Sequence, residues 1–185
     1  ANRRLRLSDQ RLKAMLTLSQ RASEMSESEL LQHGIDEAVR LTESQVGYLH
    51  MVNEDAQTLR LVAWSSQTRA QCTAVFESHY SIAQAGVWAD CIRQLRPVMH
   101  NDFQRLTDRR GYPAGHIELE RHLSVPVIEQ GRAWMLIGVG NKATDYDEAD
   151  ARELLVIGND LWRIYTRRRD ELQLAEAKSA AEAAN

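Results

Sequence analysis

The sequence has no uninterrupted apolar run approaching the roughly 18 residues that a membrane-crossing helix requires. Its basic start, Ala1-Asn2-Arg3-Arg4-Leu5-Arg6, is not followed by an apolar stretch and so does not read as a secretory leader. Cysteine is scarce. Cys72 and Cys91 are too few for a disulfide framework and lack zinc-ligand spacing, so a reducing, cytoplasmic setting is expected for this segment, although the parent protein can be membrane-anchored elsewhere. The six histidines, His33, His50, His79, His100, His116 and His122, form no HxxxH or HxH pair, which argues against a metal site. Charge of one sign is also lacking: 23 basic against 26 acidic residues leave a net charge of −3, and no basic excess points to nucleic acid or to an anionic membrane. There is no serine-nucleophile motif, P-loop or HExxH. The carboxylates Asp145, Asp147, Glu148 and Asp150 sit where a helix should start, and the helix dipole accounts for them. The segment itself is therefore expected to be non-catalytic.

The residues present, 43% hydrophobic and 26% charged, suit a folded domain. Residues 3–24 contain no Gly or Pro and read as a helix entering from upstream. Ser26 and Glu29 have capping-box spacing, and Leu31, Ile35, Ala38, Val39 and Thr42 share one helical face, which predicts a second helix over about 28–43. Val46–Val52 and Thr58–Ser65 read as strands joined by the turn Asn53-Glu54-Asp55-Ala56-Gln57, with Leu59, Leu61 and Ala63 expected on one face. Residues 67–77 are ambiguous, and His79–Ile82 is a candidate short strand. A short helix carrying Val87, Trp88, Cys91, Ile92 and Leu95 should end at Pro97, where another short strand, Pro97–His100, begins. Residues 101–121 read as a long loop of the kind that is usually functional. A hairpin over Leu123–Val127 and Trp134–Val139 turns at Glu129-Gln130-Gly131-Arg132. From Asp147 onward a long helix is interrupted by Gly158 alone. The fold class is α+β: a central antiparallel sheet of about six strands flanked by helices, with long terminal helices.

Five segments in order carry a resemblance: Arg96-Pro97-Val98-Met99-His100-Asn101-Asp102-Phe103; Gly111-Tyr112-Pro113-Ala114-Gly115-His116; Arg121-His122-Leu123-Ser124-Val125-Pro126-Val127; Gly138-Val139-Gly140-Asn141-Lys142; and Asp145-Tyr146-Asp147-Glu148-Ala149-Asp150. Together they resemble the signatures of GAF domains, in the subtype with a PxGH loop found in bacterial and archaeal sensor kinases. The resemblance covers about residues 28–165. It implies a PAS-like sheet with a small-molecule site between the sheet and the loops of about 67–122. The tail Ala175–Asn185, rich in Ala, Glu and Lys, resembles the helix just before the dimerisation helix of hybrid histidine kinases. The implied organisation is a connecting helix over 1–27, a sensor domain over 28–165, and a linker helix over 166–185 toward an output domain. That output would be a histidine kinase of a two-component system or, as the alternative, a diguanylate cyclase.

Candidate ligand residues from the implied site are Trp88, Cys91, His100, Asp102, Tyr112, His116, Arg121 and Ser124, which mix aromatic surface with hydrogen-bonding groups. Trp88 and Cys91 also suit a plain core, and Asn101 and Asp102 can simply fix a turn. Arg121 can clamp an anion or pair with Glu118 or Glu120. His116, Tyr112 and Arg121 are expected around one cavity. The ligand is unknown. Haem or another tetrapyrrole needs only one axial ligand and no motif; a bilin is disfavoured because Ile92, not His, follows Cys91. Two cysteines do not match the set used by GAF proteins that reduce free methionine sulfoxide. Two further readings remain open: a ligand-free dimerisation module and a haem-based redox or gas sensor.

Leu154, Gly158, Leu161, Tyr165, Arg168, Leu172 and Ala175 recur at heptad-like spacing, and Leu5, Leu12 and Leu16 form a weaker seam. These seams predict a parallel homodimer bundled through its first and last helices, with Leu154, Leu161, Tyr165 and Leu172 carrying the signal. The first turns of the last helix should also cover the sheet of their own subunit. The basic run Arg163, Arg167, Arg168 and Arg169 reads as a solvated helix surface.

Overall fold

The computed structural model describes residues 2–72, 80–107 and 115–185. His79 and Tyr112 lie outside them. Helix α1 runs over Asn2–Arg21 and continues into a 3-10 turn, Ala22–Glu24. Helix α2, Glu27–Leu41, starts at the predicted capping box: the Ser26 hydroxyl accepts from the Glu29 amide at 3.2 Å, and the Glu29 carboxylate accepts from the Ser26 amide at 2.8 Å. Such a cap is worth about 1 kcal/mol because it satisfies amides that have no partner inside the helix.

Six strands follow: β1 Val46–Val52, β2 Thr58–Trp64, β3 Tyr80–Ser81, β4 Val98–His100, β5 His122–Glu129 and β6 Arg132–Gly140. All pairings are antiparallel, in the order β3-β2-β1-β6-β5-β4. The β5–β6 hairpin turns at Gln130 and Gly131, whose φ values of 52° and 74° match the right-handed strand twist. Short helices α3, Ser66–Gln71, and α4, Asp90–Gln94, sit in the connections, α4 entered through a 3-10 turn over Val87–Ala89. Helix α5, Glu148–Ala183, starts at a second capping box between Asp147 and Asp150.

The sheet has two unlike faces. On one, Leu49, Met51, Leu123, Val125, Val127, Met135, Ile137 and Val139 pack with Leu30, Ile35 and Ala38 of α2 and Leu154, Ile157 and Leu161 of α5. Gly158, expected only to weaken α5, faces this sheet: a Cβ there would lie 3.1 Å from Ile137 Cγ2 and 3.2 Å from Val127 Cγ2. Its missing side chain lets the helix lie close on β5 and β6.

One expectation is corrected here. Leu59, Leu61 and Ala63 do not share a face. The β1–β2 register shifts, with Leu49 opposite Ala63 and His50 opposite Leu61, so that Val62 is an extra residue. Leu59 therefore packs on the loop-covered side and Ala63 on the helix side. As expected for the first turns of α5, Leu154, Leu161 and Tyr165 are buried in the core of their own chain, at 0%, 0% and 7% exposure, so they are not free to form a seam with a second chain. The exposed large apolar residues of the terminal helices are Leu5, Leu12, Leu16, Val156 and Leu174, with Leu172 half-buried. Helix α1 is held to α5 by Arg11, which donates to Glu153 at 2.9 Å and to Asp160 at 3.5 Å, and by Arg167, which donates to the Ser19 hydroxyl at 3.0 Å. Among the described residues no helix is long and apolar enough to cross a membrane.

Candidate functional site

The other face of the sheet is covered by connections instead of long helices, and its strands present rings and polar groups. Alternation along β1 turns Tyr48 and His50 to this side while Leu49 and Met51 face the helices. Along β5, His122 and Ser124 do the same between Leu123 and Val125. His100 on β4 pairs directly with His122. Trp88 and Cys91 reach over from the turn before α4 and from α4 itself. Phe103 closes the other end from a 3-10 turn, Phe103–Arg105.

These side chains form one aromatic group. The Trp88 ring lies 4.7 Å from His50 and 6.2 Å from Tyr48, the latter edge-on at 87°. Tyr48, His122 and His100 are nearly parallel, at 2° and 11° to their neighbours, with centroids 5.9 and 6.0 Å apart. Phe103 meets His122 at 5.7 Å. Tyr48 can cross the sheet because the residue paired with it is Gly138: a Cβ there would lie 2.1 Å from Tyr48 Cζ. The tyrosine hydroxyl thus passes over β6 and meets His122 Nε2, on β5, at 2.5 Å.

Burial sets the protonation of this group. His50 and His122 are pushed down to about 3 by removal from water, with His100 adding to the effect at His122, so both are neutral at neutral pH. His100 is lowered by burial, partly opposed by Asp90. Burial raises Tyr48 well above its ordinary value and pushes the Cys91 thiol up to about 12, so the phenol and the thiol keep their protons. Several polar atoms here are sealed from solvent. Among the described residues His122 Nδ1 and His100 Nε2 have no hydrogen-bond partner. Among the described residues the Ser124 hydroxyl has the Cys91 thiol beside it, a weak partner.

The structure brings together Trp88, Cys91, His100 and Ser124 of the sequence-predicted residues and adds Tyr48, His50, Phe103 and His122. Asp102 is exposed and pairs with Arg105 at 3.1 Å. Arg121 donates to Asp145 at 2.9 Å and to Glu120 at 3.3 Å, the surface alternative among its two expected roles. His116 bonds the Ile117 carbonyl at 2.8 Å and meets the edge of Trp64 at 6.2 Å between centroids. Tyr112, the third member of the expected gathering with His116 and Arg121, lies outside the described residues. Several signature residues serve the backbone: Asn101 bonds the amide and carbonyl of Tyr146 at 2.8 and 3.0 Å, and Asn141 bonds the Glu120 amide and the Glu118 carbonyl, both at 2.8 Å. The missed members were detectable as a pattern. Tyr48 and His50, and likewise His122 and Ser124, are two residues apart inside strands whose other face is aliphatic.

Residues 24–164 match the sequence profile described as GAF domain. A "Methyl sulfide methyltransferase-associated sensor" of Methanosarcina acetivorans is 35% identical over 174 residues, covering 93% of this chain. The chain spans 17% of that protein's length. Among solved structures, the GAF domain of an Acinetobacter phosphoenolpyruvate-protein phosphotransferase superposes with a TM-score of 0.67 at 16% identity, over 86% of this chain and 94% of that one. A free methionine-R-sulfoxide reductase from Neisseria meningitidis, in complex with its substrate, gives 0.67 at 13% identity, over 87% and 91%. The family match and the relative named as a sensor support a general role as a sensory module in signal transduction. The chain belongs to the GAF domain family.

Proposed function

We propose that this domain is the sensing part of a longer cytoplasmic signalling protein and that it binds a small molecule on the ring-lined face of its sheet. The observation that carries the reading is the concentration of buried polar atoms there. His122 and Ser124 are fully buried, and His122 Nδ1 lacks a partner among the described residues. A buried polar group without a good partner costs stability, so a fold keeps such a set where something else repays it. Ligand binding reaches the output only if it favours one arrangement of α1 and α5 over another. The output is a histidine kinase, with a diguanylate cyclase as alternative. Residues 1–27 connect upstream, 28–165 sense, and 166–185 lead to the output. The kinase assignment rests on the Ala/Glu/Lys-rich tail and on the relative named as a sensor. Native mass spectrometry of the purified domain and a thermal-shift screen with metabolites, nucleotides and haem test it. A ligand specific to the folded state at 100 times its Kd adds about 2.7 kcal/mol of apparent stability. No retained mass and no shift with any compound would leave the ligand-free dimerisation module as the better account.

A second reading, a haem-based redox or gas sensor, is favoured by one observation. His50 and His122 are neutral imidazoles inside an aromatic shell, the protonation state that ligates iron. Protein purified with haem available should then show an intense Soret absorption band; its absence excludes this reading.

A further inference from the structure

We infer that the occupant of the ring-lined face is a planar, conjugated molecule whose buried part is uncharged and whose edge exchanges hydrogen bonds with Ser124, His122 and His100. This deepens the proposed sensing role and rests on it.

The planar character follows from the walls. The Trp88, Tyr48 and His122 rings supply flat, polarisable surfaces within a few ångströms of one another. Aromatic walls of this kind hold another π-system by stacked or edge-to-face contact, each worth something beyond the area it buries. The polar atoms supply the edge. Ser124 and His122 lie two residues apart on β5, on the same face, and His100 stands opposite His122 on β4. A neutral imidazole has one N–H and one lone pair. If the Tyr48 hydroxyl donates to His122 Nε2, the remaining Nδ1–H is a donor; in the other tautomer Nδ1 is an acceptor. With the Ser124 hydroxyl, which serves either way, the patch suits a ring nitrogen, carbonyl or amide edge.

The charged groups described around the patch favour an uncharged occupant. Among the described residues, the charged groups Arg93, Arg121, Asp102 and Lys142 near it are already engaged. Arg93 is held by Asp90 and by the carbonyls of Ile82, Ala85 and Gly86. Arg121 is held by Asp145 and Glu120, and Asp102 by Arg105. Lys142 lies 2.7 Å from Asp150. An ionised group buried among Tyr48, Trp88, Ser124 and His122 would meet no opposite charge from these residues, and an uncompensated buried charge is far more costly than an unpaired dipole.

The test uses three probes of one shape that differ in charge: benzamide, benzoate and benzamidinium. Each is titrated at neutral pH into the wild-type domain and into Ser124→Ala and Trp88→Phe, following the unfolding midpoint and tryptophan quenching. Benzamide should raise the midpoint in a dose-dependent way and bind at least about tenfold tighter than either ion. Ser124→Ala should weaken it by about three- to tenfold, one neutral hydrogen bond. Trp88→Phe should remove most of the quenching. A charged probe that binds as well as benzamide and depends on Ser124 overturns the charge assignment while leaving the seat and the sensing role intact. Binding of none of the three overturns the inference. In that case native mass spectrometry separates the two failures: a retained aliphatic or ionised molecule keeps the sensing role, and a bare domain with no responsive metabolite removes it.

Discussion

Burial holds His50 and His122 neutral far below the pH at which a free histidine takes up a proton. Both have folded values near 3 against 6.5 for the unfolded chain, so the unfolded state binds the protons that the folded state refuses. Their contribution to stability is therefore complete above pH 6.5 and is lost as pH falls from there toward 3. Well below 6.5 each histidine should steepen the decline by about 1.4 kcal/mol per pH unit. Urea denaturation between pH 6.5 and 5, above the range of most carboxylates, should show this slope, and His122→Gln should reduce it. An unchanged slope in that variant means that His122 does not carry the effect. Gly138 provides a second check. In Gly138→Ala the new Cβ meets the Tyr48 ring, which must leave the surface of β6 and its bond to His122. The expected cost is about 1–3 kcal/mol, as for other overpacked positions, read from the denaturation midpoint. Ordinary stability in that variant would show that Tyr48 does not need the space.

At the scale of elements, α5 has two parts with different environments. Up to Tyr165 it is part of the core, and beyond Asp170 nearly every residue is exposed. Gly158 sets the approach of the first part to β5 and β6. Gly158→Leu should push the helix off the sheet at a cost of about 1–3 kcal/mol in denaturant unfolding. Gly158→Ala should be much milder, because the gain of about 1 kcal/mol in helix propensity offsets a Cβ contact that is only slightly tight. Equal damage from both would mean that backbone freedom, not closeness, is what the glycine provides. Under the proposed sensing role, a ligand on the ring face would touch β1, β5 and β6, and α5 lies on the opposite side of those strands. A shift in β5 or β6 would then reach α5 through Val125, Val127 and Ile137.

For the whole molecule, the homodimer read from the terminal helices now rests on a different set of residues. Leu12 and Leu16 are both 58% exposed on α1, beside Ile164 and Arg163 of α5. Leu161→Glu would place a charge in the core and could not separate dimerisation from folding. The exposed pair can. A Leu12→Glu, Leu16→Glu double variant should become monomeric by sedimentation at micromolar concentration and keep the thermal midpoint of a folded monomer. A dimer that survives this change excludes the α1 face as its interface.

The elements were legible in the sequence because they rest on local physics. Capping-box spacing started α2, the Gln130-Gly131 turn set the β5–β6 hairpin, and the absence of Gly and Pro carried α1. The family was legible for the same reason, since Asn101, Asn141 and Tyr146 tie backbone within and between neighbouring segments. Half of the candidate site was legible as well, because His100 and Ser124 belong to segments that the resemblance marks, and Trp88 and Cys91 fall in the loop region to which it assigns a ligand site. Tertiary structure alone decided the rest. Whether Arg121 faces a ligand or Asp145 depends on which side of the chain packs inward. Whether Leu161 joins a neighbour or its own core depends on where α2 lies. That Tyr48 reaches His122 depends on two strands pairing on either side of a residue without a side chain. Periodicity records which residues share a face; the partner of that face is set by contacts between residues far apart in the chain, whose geometry no local spacing encodes.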